Sequence, residues 1–261
     1  MVLWLVVLLG VVATVVVGST RGGAEVVINA RARLVARAAA ESGIVAATAL
    51  IERRLAEAAT TDQRVRALSD IQRPTATLSD VALGEGRFDV VVANPNARLD
   101  LNQADPAALL GLFSRFVAPA AARAAVEALE DWTDPDDLIR PSGAEAETYR
   151  RAGSRFVPRN APLTRVDELR RVRGVTDALA TPVAPYVTVS GDRYIDVNAA
   201  PEAVLAAIPG IGPSGARAII SRRDQGAVFT STSEIDGLVG RSSGAAELLP
   251  RSWLVVAPTR L

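Results

Sequence analysis

The chain has no cysteine, no histidine and no lysine, so all 29 of its basic side chains are arginines. Imidazole bases, thiol nucleophiles, Schiff-base lysines and Cys/His zinc sites are thereby excluded. Metal binding is left to oxygen ligands, which suit hard cations, calcium first. Aromatic residues are scarce, at 4%. Paired carboxylates could run glycoside hydrolysis, but no sugar-stacking platform accompanies them, and an enzyme is the weakest class these residues allow. The 29 arginines face 29 acidic residues, so bulk attraction to nucleic acid or anionic lipid is not indicated. Without cysteine, the chain is compatible with any redox compartment.

Charge is also missing from residues 1–17, MVLWLVVLLGVVATVVV, and proline from residues 1–73. An uncharged run of this length sits at the lower end of what spans a bilayer, and Gly18, Ser19 and Thr20 extend it before Arg21. Nothing forces a break in a helix reaching to about Ala58, with the Gly22-Gly23 pair its weakest point. Two alternatives stay open. A signal peptide would need a basic start, which is absent before Val2, although Gly18-Ser19-Thr20 is small enough for cleavage. Arg21, Arg31, Arg33 and Arg37 by themselves favour keeping their side cytoplasmic, a conflict that an upstream segment would resolve.

Past the anchor, 261 residues allow two small domains. Residues 27–58 read as helix on Ala, Arg, Leu and Glu propensity, and 60–85 as a connector with at most a short helix. RFDVVVANPNARLDL, with Asn94-Pro95-Asn96 at its centre, predicts a β-hairpin, and YVTVSGDRYIDVN around Ser190-Gly191-Asp192 predicts a second. Asp105-Pro106 opens a helix, APAAARAAVEALEDW carries another, Thr164 with Asp167 starts a third, and helices return over 201–223. A closing strand follows at 253–257. This order predicts an α+β domain interrupted by a helical insertion. LDLNQADPAALLGLF and IDVNAAPEAVLAAIPGI echo each other, as two related helical subdomains would.

Two stretches carry candidate chemistry. Residues 131–149, DWTDPDDLIRPSGAEAETY, gather Asp131, Asp134, Asp136, Asp137, Glu145 and Glu147 in a segment broken by proline and glycine. Such a cluster repels itself unless neutralised, so it is either a solvated acidic loop or a calcium site; EF-hand spacing is absent. Trp132 and Tyr149 suit the core. The second stretch, IPGIGPSGARAII, has the form of a helix-hairpin-helix. Nucleic-acid-binding versions hold a phosphate on the hairpin amides, but residues 199–245 balance four arginines, Arg241 among them, with four acids. A packing unit is the plainer reading. The rival is a membrane-tethered DNA-binding protein of the DNA-uptake type, whose salt-dependent duplex binding would be lost on changing Gly210 and Gly212.

Together, RLDLNQADPAALL, EALEDWTDPDD, SGAEAETY, RNAPLTRVDELRRVRGV and YIDVNAAPEAVLAAIPGI resemble, in order, the minor pseudopilins of type II secretion known as general secretion pathway protein K. The resemblance implies an α+β fold. An N-terminal transmembrane helix (1–20) continues into a pilin-like helix and antiparallel sheet (21–100) with a large helical, SAM-like or helix-hairpin-helix insertion. Its parts fall at 101–185 with the acidic loop, a β-hairpin at 186–198, a second helical subdomain at 199–248 and a closing strand at 249–261. It also implies calcium on Asp131, Asp134, Asp136 and Glu145; where relatives carry a further acid this chain has Ala146, so that ligand is either lost or replaced by Asp137 or Glu147. The implied function is a non-enzymatic tip subunit that initiates the pseudopilus and takes part in exporting folded proteins. The implied partners are other minor pseudopilins, the inner-membrane secretion platform and membrane lipid, with most of the chain periplasmic. Absence of acid over 1–24 fits a subunit with no neighbour above it to pair with. A processed leader is expected upstream of Met1 and a further strand after the SWLVVAP segment. Mass spectrometry of protein from native membranes should find a methylated N-terminal residue upstream of Met1. An N-terminus at Met1, or just after Thr20, would turn the reading toward the DNA-binding rival.

Overall fold

The computed structural model describes residues 2–71, 78–239 and 253–258, with the backbone alone described at 3, 5 and 11–24. Contacts divide the chain into two compact units: Met1–Arg54 with Pro74–Val92, and Leu55–Arg73 with Ala93–Leu261. The fold is mixed, helices with small two-stranded sheets, as the α+β reading expected.

Without proline to break it, α1 runs from Val2–Glu57, straight through Gly22-Gly23. By length and composition its part Glu25–Glu57 is also apolar enough to cross a membrane. That part carries Arg31, Arg33 and Arg37, whereas the expected span at 1–17 carries no charge. In the first unit, β1 (Val81–Leu83) and β2 (Gly86–Phe88) form an antiparallel hairpin turned at Gly84, whose φ of 57° a side chain would strain. The hairpin lies against α1 where side chains are small: a Cβ on Gly43 would stand 2.8 Å from the Phe88 ring, and one on Gly86 3.0 Å from the Ala39 Cβ. This hairpin falls partly in the stretch read as a connector. The same stretch holds α2 (Thr61–Ile71), opened by a reciprocal cap in which Gln63 Oε1 accepts from the Thr60 amide and Thr60 Oγ1 from the Gln63 amide.

The two hairpins expected farther on do not form. Pro95–Ala97 is a single 3-10 turn capped by Asn94. Of the strands beside it, β3 (Leu99–Asp100) pairs in parallel with β4 (Val187–Thr188), and β5 (Ile195–Asp196) in parallel with β6 (Leu254–Val255). The physical reason lies in the would-be turn residues, whose polar groups, besides local bonds such as Asn96 N to Asn94 Oδ1, bond across to other segments. Gly191 N donates to Asp100 Oδ2 (2.7 Å), Asn96 Nδ2 to Asp192 Oδ1 (2.6 Å), and Asn94 Nδ2 to Asp196 Oδ2 (2.8 Å). The closing strand was expected, and β6 is that strand.

The sequence echo is a structural duplication. After β3, Asp100 Oδ1 accepts from the Asn102 amide; after β5, Asp196 Oδ1 accepts from the Asn198 amide. Each asparagine then clamps a distant backbone with both ends of its side chain. Asn102 donates to Leu163 O and accepts from Leu163 N (3.0 and 2.8 Å), and Asn198 does the same with Phe229 (2.8 Å each). Immediately beyond, the Thr164 amide and hydroxyl both donate to Glu168 Oε1, and the Thr230 amide and hydroxyl both donate to Glu234 Oε1. The expected cap at Thr164 is therefore answered by Glu168 rather than Asp167, and a 3-10 turn over Val166–Arg171 follows in place of a long helix.

Between strand and clamp each copy carries two helices: α3 (Pro106–Phe113, capped by Asp105) with α4 (Pro119–Thr133), and α7 (Glu202–Ala207) with α8 (Gly212–Asp224). Shorter helices α5 (Ala146–Arg151), α6 (Asp177–Val183) and α9 (Ser233–Leu238) complete the unit. The copies meet at α3 and α7, where a Cβ on Gly111 would fall 2.5 Å from Ala207 O. One core, including Phe113, Trp132, Leu205, Ile219 and Phe229, runs through both copies. Residues 240–252, Arg241 among them, lie outside the described residues.

Asn198 also donates to Val256 O, tying β6 to the second clamp. Asn198→Ala should lower the unfolding free energy by about 2 kcal/mol or more, because buried backbone groups lose their partners. Asn102→Ala, with one clamp bond fewer and more solvent, should cost less; urea denaturation of the two variants checks the order.

Candidate functional site

The two copies differ most in one place. Asn198 reaches its partner across 31 residues and Asn102 across 61. The additional chain in the first copy lies after α4 and contains most of the acidic stretch.

The C-terminal turn of α4 delivers Glu130 and Asp131, and Asp131 lies on its buried face beside Trp132 and is itself fully buried. A buried carboxylate needs donors. They come from one residue that the sequence reading passed over: Arg140 Nη1 donates to Asp131 Oδ1 (2.7 Å) and to Asp134 Oδ2 (2.5 Å), and Arg140 N to Asp131 Oδ2 (3.2 Å). Arg140 Nε also lies 3.4 Å from Glu130 Oε2. Arg140 is the one basic residue in 131–149, a signal that was available in the sequence. The loop is held to α4 by Ser142 N donating to Glu127 Oε2 (2.6 Å), and it passes so close that a Cβ on Gly143 would lie 2.0 Å from Asp131 Oδ2.

Glu145 is 3% exposed, and neither of its carboxylate oxygens has a hydrogen-bond partner; Asp134 Oδ1 is likewise buried without one. Burial, then the charges of Asp131, Asp134 and Asp137, push the Glu145 carboxyl above its ordinary range. Burial does the same to Glu130, opposed by Arg140. Hydrogen bonds to Asp134 and Asp131 hold the Arg140 guanidinium more firmly protonated than usual.

Of the expected ligands, buried Asp131 and Glu145 and half-buried Asp134 thus belong to one acidic neighbourhood. Asp136 is exposed and accepts from Leu138 N (2.9 Å), Asp137 is exposed near Asn160 Nδ2, and exposed Glu147 pairs with Arg150 and Arg151. Among the described residues, no three carboxylates are already drawn together as a metal cage. The donor set is nonetheless all oxygen, and the partnerless buried oxygens are what a hard cation would satisfy. Trp132 and Tyr149 pack edge to face at 5.2 Å in the core, as expected.

The helix-hairpin-helix turns at Gly210 and Gly212, with φ of 86° and 62°, and buries Ile211 between them. Arg223 of α8 is spent on the Ala200 carbonyl (2.5 Å).

Fold and site together define an α+β protein whose larger unit is a duplicated helical module with a carboxylate-rich loop in its first copy. Residues 86–192 match the family described as type II secretion system (T2SS), protein K, and residues 190–238 match the helix-hairpin-helix motif. Type II secretion system protein K of Klebsiella pneumoniae is 38% identical over 71 residues, 27% of this chain and 22% of that protein. Its counterpart from Aeromonas hydrophila is 37% identical over 73 residues, 28% and 22% of the two chains. The aligned stretch thus spans about a fifth of these curated relatives. Among solved structures, a chain of the GspK-GspI-GspJ complex of the enterotoxigenic Escherichia coli type 2 secretion system shares the fold, with a TM-score of 0.53 and 18% identity over 82% of this chain and 80% of that one. The likeness to the type II secretion protein K family thus rests on residues 86–192 and on the shared fold.

Glu145 has a folded pKa above its unfolded one, so its contribution to stability is fully present below the unfolded pKa and is lost as pH rises through the folded one. Glu145→Gln should therefore stabilise the protein in chelator at pH 7 and do little near pH 4. Thermal melts at the two pH values check this.

Proposed function

We propose that this chain is a minor pseudopilin at the tip of the type II secretion pseudopilus, where it initiates assembly and takes part in exporting folded proteins across the outer membrane. The observation that carries the proposal is the protein K domain at 86–192, joined to a fold likeness extending over 82% of the chain. The solved relative is a GspK-GspI-GspJ complex, and the partners proposed here are the corresponding minor pseudopilins and the inner-membrane secretion platform. Residues 1–20 anchor the chain in the inner membrane, and the bulk is periplasmic. Its role is structural rather than catalytic. The neutral helix-hairpin-helix, with Arg223 turned to a carbonyl, serves as a packing unit and not as a phosphate grip.

Calcium belongs to the same proposal. Asp131, Asp134 and Glu145 would hold it, with Asp136 brought in if the loop closes. A bound ion would neutralise the cluster. Within that cluster, the chain's own work is to bury Asp131, press Gly143 against it, and keep the Glu145 oxygens clear of protein donors.

Co-expression with the cognate I-type and J-type pseudopilins should give a complex that survives size-exclusion chromatography. Failure of the folded chain to join them would overturn the proposal. Calcium at about 100 times its Kd should stabilise the wild-type chain by roughly 2.7 kcal/mol, and Glu145→Gln should abolish that gain.

A further inference from the structure

We infer that Arg140 is a tethered cation that stands in for a divalent ion among these clustered acids, and that such an ion binds by displacing its guanidinium. The inference rests on the reading of this loop as a cation site. It starts from a mismatch of shape. A guanidinium is a flat fork of donors, suited to one or two carboxylates, whereas calcium draws six to eight oxygens from all sides. Here the fork takes Asp131 and Asp134, with its Nε toward Glu130. Glu145 is left buried with neither oxygen satisfied, in the field of the same aspartates. The positive charge of Arg140 thus serves Glu130, Asp131 and Asp134 and leaves Glu145 out.

Asp131 is held in place, whereas the arginine side chain has access to water. Asp131 is fully buried, and its second oxygen is held by the Arg140 backbone amide, a bond that survives if the guanidinium swings away. The Arg140 side chain is 34% exposed, and Leu138 and Ile139 just before it are exposed as well. The guanidinium therefore has a way out to water. A divalent ion and a guanidinium sharing Asp131 and Asp134 would repel each other at close range, so their occupancy is mutually exclusive. In calcium-poor surroundings Arg140 keeps the cluster from repelling itself; in calcium-rich surroundings it gives way.

The test is a calcium titration of the full chain, by calorimetry and by thermal melting, on wild type, Arg140→Gln and Arg140→Lys. In chelator Arg140→Gln should melt below wild type, and in saturating calcium it should reach or exceed it. Its calcium affinity should rise on the order of tenfold, while Arg140→Lys, which keeps the charge, stays nearer wild type. Unchanged or weaker calcium binding by folded Arg140→Gln, with wild type binding normally, would overturn the inference and leave the metal reading standing. If no folded form binds calcium, the metal reading fails and the inference with it. Should Arg140→Gln not fold in chelator, wild type alone decides. Calcium should move the Arg140 Nε–H nuclear magnetic resonance signal from protected to exchanging with water, and a signal still protected at saturation would refute displacement.

Discussion

The larger unit depends on two asparagine clamps. Asn102 and Asn198 each sit just past a short parallel strand and use both ends of the amide to close on one residue of a distant loop, Leu163 or Phe229. Strands of two residues supply few ladder bonds. The clamps supply the rest, and at the buried Asn198 clamp their loss would orphan backbone groups that water cannot reach. Each clamp fixes where the following Thr–Glu turn begins, and hence where Leu169 and Ile235 enter the core.

Because the clamp recurs, the unit is best understood as one helical module used twice, with the copies in contact through α3 and α7 at Gly111. Duplication separates what the scaffold needs from what one copy has added. Strand, asparagine, paired helices, Thr–Glu turn and closing strand are common to both. The first copy alone spends the extra residues between helix and clamp on a loop that brings Arg140 to Asp131 and buries Glu145. The second copy passes directly, and its glycine hairpin serves compact packing, with Ile211 turned into the core.

That added loop carries an electrostatic imbalance the scaffold does not require. Asp131 on the buried face of α4 would be replaced by an apolar side chain if packing were its only purpose. Instead the loop brings a guanidinium to it and leaves Glu145 without a partner. The cation proposed for this loop would relieve that imbalance.

Much was legible from the chain itself. Absence of proline over 1–73 determined the long helix, and Asp105-Pro106 marked the start of α3. The helix pair around IPGIGP, the apolar burial of Trp132 and Tyr149, and the family blocks were all written in local pattern, because each depends on residues near one another in sequence. Strand pairing was not. Asn94-Pro95-Asn96 and Ser190-Gly191-Asp192 have hairpin composition, yet their polar groups bind partners about 90 to 100 residues away, and local pattern does not encode that choice. Nor did spacing separate the acids. Asp136 and Asp137 lie nearer Asp131 in sequence than Arg140 does, but only the fold turned them to solvent and brought Arg140 and Glu145 inward. The sequence by itself determined which segments are helical, where charge is absent and which chemistries are impossible. Tertiary structure decided which distant backbone each asparagine clamps and which carboxylates lose their water, since both depend on contacts across the chain.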